Sequence, residues 1–195
     1  MPSVAEEVWP VSEPRRGNSI FIALAALSAI GLLASFLLSI DGWRALVQGA
    51  DAQLMCAFDA TLDCAPAMQL WQAQILGFPN AYLGVFAFAT ALAVSMGLLA
   101  GATARWLRVG LLIGTALGQL LIFFLMYTTF SSLPALCPWC TVIWVIIWPL
   151  LWLQIVDLFS DRAPSLRTFR WPVLAGGYLI ATIIGLLTMG LRVLR

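Results

Sequence analysis

The residues best equipped for chemistry are four cysteines, set as one close pair, Cys137-Pro138-Trp139-Cys140, and one wider pair, Cys56 and Cys64. In the close pair, positions i and i+3 share a face of a helix. Two thiols so placed either close a disulfide or meet one small substrate together. Pro138 suits a first helical turn, having no N–H to leave unpaired. A thiol at that end lies near the positive pole of the macrodipole, which favours the thiolate that performs disulfide exchange. The same spacing also accommodates two small apolar residues packed in a membrane helix, and CxxC alone leaves that reading open. The chain contains no His, so the commonest general base and haem or zinc ligand is missing, and thiols, carboxylates and hydroxyls form the reactive inventory. No metal site is expected, because the seven residues between Cys56 and Cys64 exceed a zinc-knuckle spacing. Four cysteines allow three pairings.

The elements that must position these thiols are set by composition. With 62% hydrophobic and 10% charged residues over 195 positions and a mean hydropathy of +0.97, the chain reads as an all-α integral membrane protein embedded in a lipid bilayer. A net charge of +1 points away from a nucleic-acid partner. Residues 1–18, with Glu6, Glu7, Pro10, Glu13, Pro14, Arg15 and Arg16, read as a disordered cytoplasmic tail. Asn18 to Ile40 is apolar and uncharged, long enough to cross at about 20 residues per span. It reads as a retained first helix rather than a cleaved signal peptide, because it exceeds the usual apolar core and no small-x-small site closes it.

Residues 41–80 form the one long non-spanning loop and hold Asp41, Arg44, Asp51, Asp59 and Asp63 beside Cys56 and Cys64. A loop of this length in so economical a chain is usually functional. Within it, Pro66 to Leu76 has helical spacing, stopped by Gly77 and Pro79, and predicts a short amphipathic helix on the membrane surface. An interfacial helix anchored by Trp71, with no further role, fits the pattern equally. Further spans follow at 81–100, 107–127, 136–158 and 173–191. The domains are thus a four-helix membrane unit over 19–158, a cytoplasmic loop over 159–171, and a fifth span with the C-terminus over 172–195.

Five spans put Arg15, Arg16, Arg105, Arg108, Arg162, Arg167 and Arg170 on one face, cytoplasmic by the positive-inside rule, with Arg44, Arg192 and Arg195 opposite. All four cysteines then share the exported, oxidising side, where they can meet. Two structural disulfides remain an alternative, since exported loops are commonly stapled. With no flavin, haem or nicotinamide motif in the chain, a lipid-soluble quinone is the obvious sink for electrons gathered at a dithiol. Trp139, Trp144, Trp148, Phe86 and Phe88 could pack on a quinone ring, or simply pack the bundle. Asn80 either caps the second span or donates to a quinone carbonyl.

Taken together, Cys56 and Cys64 in the first loop, Trp71, then Ile75-Leu76-Gly77-Phe78-Pro79-Asn80-Ala81-Tyr82-Leu83-Gly84 and Leu136-Cys137-Pro138-Trp139-Cys140 resemble the vitamin K epoxide reductase family over about residues 19–158. The likeness is to its bacterial, DsbB-like members in the cell (inner) membrane. It implies a four-helix bundle around a quinone site, covered by the loop. It also implies roles: Cys56 exchanges with a partner, Cys64 attacks Cys137, and Cys140 reduces menaquinone or ubiquinone. Asn80, Trp144, Trp71 and Phe86 are the implied quinone contacts. Vertebrate relatives carry a Tyr where this chain has Trp144, which donates one hydrogen bond and accepts none. Many bacterial relatives carry a fused thioredoxin-like domain; here a separate exported DsbA-like thioredoxin-fold partner is expected. Reduction of a quinone epoxide, or a non-enzymatic protein with structural disulfides, are the rival readings.

Overall fold

The computed structural model describes residues 18–49, 53–58, 62–102, 104–132, 135–160 and 165–193. Residues 1–17 of the expected tail, together with Asp51, Asp59, Arg162 and Arg195, lie outside them. The described chain is helical: α1 Asn18–Gln48, α2 Ala65–Met68, a 3₁₀ turn Trp71–Gln74, α3 Ala81–Leu99, α4 Arg105–Ser132, α5 Pro138–Phe159 and α6 Ser165–Val193. Among the described residues the extended backbone amounts to one isolated parallel bridge, Leu62 to Leu136.

Four of these helices, α1, α3, α4 and α5, are long and apolar enough to cross a bilayer. This is a multi-pass, all-α membrane protein. The four are apolar around most of their circumference, as lipid-facing helices must be when every backbone amide is satisfied within the helix. Their shared core is Phe21 and Leu24 from α1, Phe88 and Leu98 from α3, Ile122 from α4, and Ile146, Ile147 and Leu150 from α5. Helix α6 occupies the place of the expected fifth span; its described apolar stretch is Trp171–Ile180.

Small residues allow the tightest approach, between α1 and α3. A Cβ on Gly84 would sit 2.6 Å from Ser35 Oγ, and one on Gly31 would run into the Phe88 ring. At the end of the bundle away from the cysteines, Arg108 pairs with Asp157 at 3.7 Å and lies 5.5 Å over the Phe21 ring. Between α4 and α5, Gln154 donates to Thr115 Oγ1 at 3.0 Å. Such side-chain bonds hold membrane helices together where no hydrophobic gain is available.

Three expectations about boundaries are corrected. The first helix runs eight residues past Ile40, to Gln48. The Asp41 carboxylate that seemed to end it is fully buried, with Oδ1 accepting from Met55 N–H of the loop above, and Gly49, at φ +66°, makes the stop. The single amphipathic helix over 66–76 is instead two one-turn pieces, broken where Leu70 is extended at φ −75°, ψ 142°. The extended Leu70 lets its carbonyl accept from Ala73 N–H at 2.9 Å. Part of the expected 159–171 loop is helical, since α6 begins at Ser165. Pro172 does not prevent this, because the carbonyl it frees, that of Thr168, belongs to an exposed turn.

Candidate active site

Backbone pairing brings the two cysteine pairs together. Asp63 N–H donates to the Leu136 carbonyl at 3.1 Å, within the Leu62–Leu136 bridge, and Phe58 N–H donates to the Leu62 carbonyl at 2.9 Å. Cys64 follows Asp63 and Cys137 follows Leu136, the two residues joined by the first of these bonds. Their sulfurs are 3.0 Å apart, inside the ~3–3.5 Å range of groups poised to react. Cys64 is already joined to Cys56 in a disulfide, with Cα atoms 5.7 Å apart, while Cys137 and Cys140 are free thiols.

The close pair takes the expected position. Cys137 is the extended N-cap of α5 at φ −80°, ψ 117°, Pro138 opens the first turn, and the Cys140 N–H donates to Cys137 Sγ at 3.3 Å. Thr141 Oγ1 donates to the Cys137 carbonyl at 3.0 Å, tightening the same turn. Cys56, Cys64, Cys137 and Leu54 form a buried cluster of their own, against which Met68, Trp139 and Cys140 pack. Cys56 and Cys64 have no exposed surface at all.

The loop is tied down by side chains as well as by backbone. Asp41 accepts from Met55 N–H at 2.9 Å, next door to Cys56, with Arg44 at 3.6 Å from the same oxygen. Asp63 accepts from Ala65 N–H at 2.8 Å and so starts α2 just after Cys64. Asn80 holds the 3₁₀ turn from both ends of its amide, donating to the Gln72 carbonyl at 2.6 Å and accepting from Ile75 N–H at 3.3 Å. It stands at the N-cap position of α3 but makes no side-chain cap bond there.

Beneath this loop lies a cavity of about 530 Å³, within the ~300–1,000 Å³ typical of ligand sites. Cys64, Cys137 and Cys140 stand in its wall together with Asn80 and Trp144. Trp144 is braced by Phe130, ring centroids 5.8 Å apart. Much of the remaining wall is aliphatic, supplied by Leu38 and Leu46 of α1, Leu70 of the loop and Leu125 of α4. Trp71 and Phe86 are not in the wall: their side chains are 69% and 74% exposed. Cys56 stands behind Cys64, outside it.

Two residues that the sequence did not single out belong to this site. Gln72 lines the cavity, and its Oε1 is buried without a hydrogen-bond partner. Asp41 sets the position of the Cys56 turn. Neither had a signal in type or spacing, since an isolated Gln or Asp in a polar loop is ordinarily solvated. The cavity offers a largely apolar wall with two polar contacts: a free proton of the Asn80 amide can meet a carbonyl, and the orphaned Gln72 oxygen a hydroxyl.

Residues 22–155 match the vitamin K epoxide reductase family, covering most of the chain and every feature of the site. The chain belongs to that family. No curated protein matches it. Membership in the vitamin K epoxide reductase family makes this a membrane oxidoreductase acting at thiols and disulfides, in keeping with one disulfide and one dithiol facing each other at a cavity. Among the described residues no cluster of potential metal ligands is found.

Proposed function

We propose that this member of the vitamin K epoxide reductase family reoxidises an exported, DsbA-like thioredoxin-fold protein and passes the electrons to a membrane quinone, so sustaining disulfide formation. The observation that carries the reading is the 3.0 Å approach of Cys64 Sγ, in a closed disulfide, to the free Cys137 Sγ.

The steps balance as two-electron exchanges. The partner's dithiol is oxidised to a disulfide while Cys56–Cys64 is reduced to two thiols. The Cys64 thiolate then attacks Cys137 of a Cys137–Cys140 disulfide, releasing Cys140 as thiolate. Cys56 attacks Cys64 in the mixed disulfide and releases Cys137, leaving the loop pair oxidised and the close pair reduced. That is the redox state of the structure. A bound quinone supplies the final oxidising power, taking two electrons and two protons and restoring the Cys137–Cys140 disulfide. With a DsbA-type partner near about −120 mV, a quinone only slightly more oxidising suffices.

Cys140, in the cavity wall one turn along α5 from Cys137, is the thiol assigned to the quinone; Asn80 would donate to a quinone carbonyl, Gln72 Oε1 would accept from a hydroxyl of the quinol formed, and Trp144 would face the ring. We assign the cysteine end of the bundle to the exported side of the bacterial inner membrane and the N-terminus to the cytoplasm. Support comes from Arg105 and Arg108, which open α4 at the opposite end, where the positive-inside rule puts cytoplasm.

The test supplies purified protein with a reduced thioredoxin-fold protein and a soluble menaquinone analogue, and follows quinone absorbance. Wild type should turn over, and Cys140→Ser should fall to background. Absence of turnover by wild type across several quinones and donors would sink the proposal.

A further inference from the structure

Helix α6 lies outside residues 22–155, so the family assigns it nothing. It meets α5 at one place that bears on the cavity. Pro149 sits inside α5. It has no N–H, so the bond it would have given to the carbonyl four residues back, that of Val145, cannot form. In lipid a bare carbonyl is costly, and neighbouring helices commonly supply the missing donor. Here the donor is Tyr178 of α6, whose hydroxyl bonds to the Val145 carbonyl. The preceding residue makes the approach possible: a Cβ on Gly177 would collide with the Trp148 indole.

We infer that Tyr178 is a positioning residue for the cavity, replacing from α6 the backbone bond that Pro149 removes and thereby fixing the segment of α5 that carries Cys140 and Trp144. The inference rests on the proposed quinone chemistry for its functional readout. Its structural logic is independent of that chemistry. Val145 follows Trp144 directly, and the segment from Pro138 to Trp148 ends at the proline. A loosened Val145 carbonyl frees that segment to tilt, and the first consequence is felt by whatever Trp144 and Cys140 hold. Thiol exchange at Cys56 and Cys64, on the loop, does not depend on it.

The experiment is a double-mutant cycle of Tyr178→Phe and Pro149→Ala in the full chain. Tyr178→Phe deletes only the hydroxyl; Pro149→Ala returns the backbone donor, so the hydroxyl is no longer needed. Tyr178→Phe alone should raise the KM for quinone by roughly threefold to twentyfold, the span of ~0.6–1.7 kcal/mol found for hydrogen bonds between membrane helices at 1.36 kcal/mol per decade. The KM for the thiol donor should stay within twofold. In the P149A background the same substitution should change neither. A quinone KM unmoved by Tyr178→Phe overturns the inference, as does a rise of the same size in both backgrounds. A second readout uses no turnover: the rate at which an apolar maleimide alkylates Cys140, followed by peptide mass. It should shift by at least threefold in Tyr178→Phe and return to the parent value in the double variant, and an unchanged rate overturns the inference. If wild type reduces no quinone, the proposed function fails while the alkylation cycle still decides the role of Tyr178.

Discussion

Cys64 and Cys137 are 73 positions apart in sequence, and their sulfurs are brought together by the Leu62–Leu136 bridge and the Phe58–Leu62 backbone bond, with Asp41 and Asp63 holding the loop through their side chains. This geometry selects one cross-pair over the other. In a Cys56→Ser/Cys140→Ser variant, mild oxidation should join Cys64 to Cys137 nearly completely, as seen by peptide mapping. In the matching Cys64→Ser/Cys140→Ser variant, the Cys56–Cys137 bond should form at least tenfold more slowly; equal rates would contradict the placement of Cys64 as the inner member of the loop pair. At this scale the cysteines were legible from type and spacing, because few roles suit a CPxC beside a second pair in a His-free chain. Asn80 was legible only in part. Its polarity at a membrane boundary demanded partners, but those it found are backbone groups of the 3₁₀ turn, neither a cap bond nor anything visible in local sequence. Asp41 was opaque, since its burial depends on a loop that returns fourteen residues later.

The long helices could be read from the chain because a bilayer needs about 20 apolar residues in a row and little else produces them. Their ends could not. Helix α1 continues through Asp41 and Arg44 because the loop folds back to donate Met55 N–H to one carboxylate oxygen, which Arg44 also faces, a tertiary event. The loop helix splits for a comparable reason, as a turn pinned by Asn80 competes with continuous helical spacing. The Pro-Asn-x-x-x-Gly motif also gains a physical content here. Pro79 is buried, 3.4 Å from where a Cβ on Gly42 would lie, and Gly84 leaves room for Ser35. Gly84→Val should therefore lower stability by about 1–3 kcal/mol through overpacking. Adding Ser35→Gly should recover at least half of it. Thermal unfolding in detergent would measure both; a neutral Gly84→Val would mean that α1 and α3 do not pack as closely as described.

For the whole molecule, the arrangement concentrates the chemistry at one end of the bundle and the Arg108–Asp157 pair at the other. If the cysteine end is exported, an alkaline phosphatase reporter fused after residue 49 should be active in bacterial cells and one fused after residue 102 inactive; the reverse pattern would invert the orientation proposed. Cys56 and Cys64 have no exposed surface and Cys137 is 2% exposed, so the relay proposed above would behave as an insulated conductor. An open disulfide would exchange with any small thiol that reached it and leak oxidising equivalents. Under the proposed function, burial behind Leu54 and Met68 would make access depend on a partner able to lift the loop, so that selectivity against this short circuit would be enforced by packing before thiol reactivity is called upon at all.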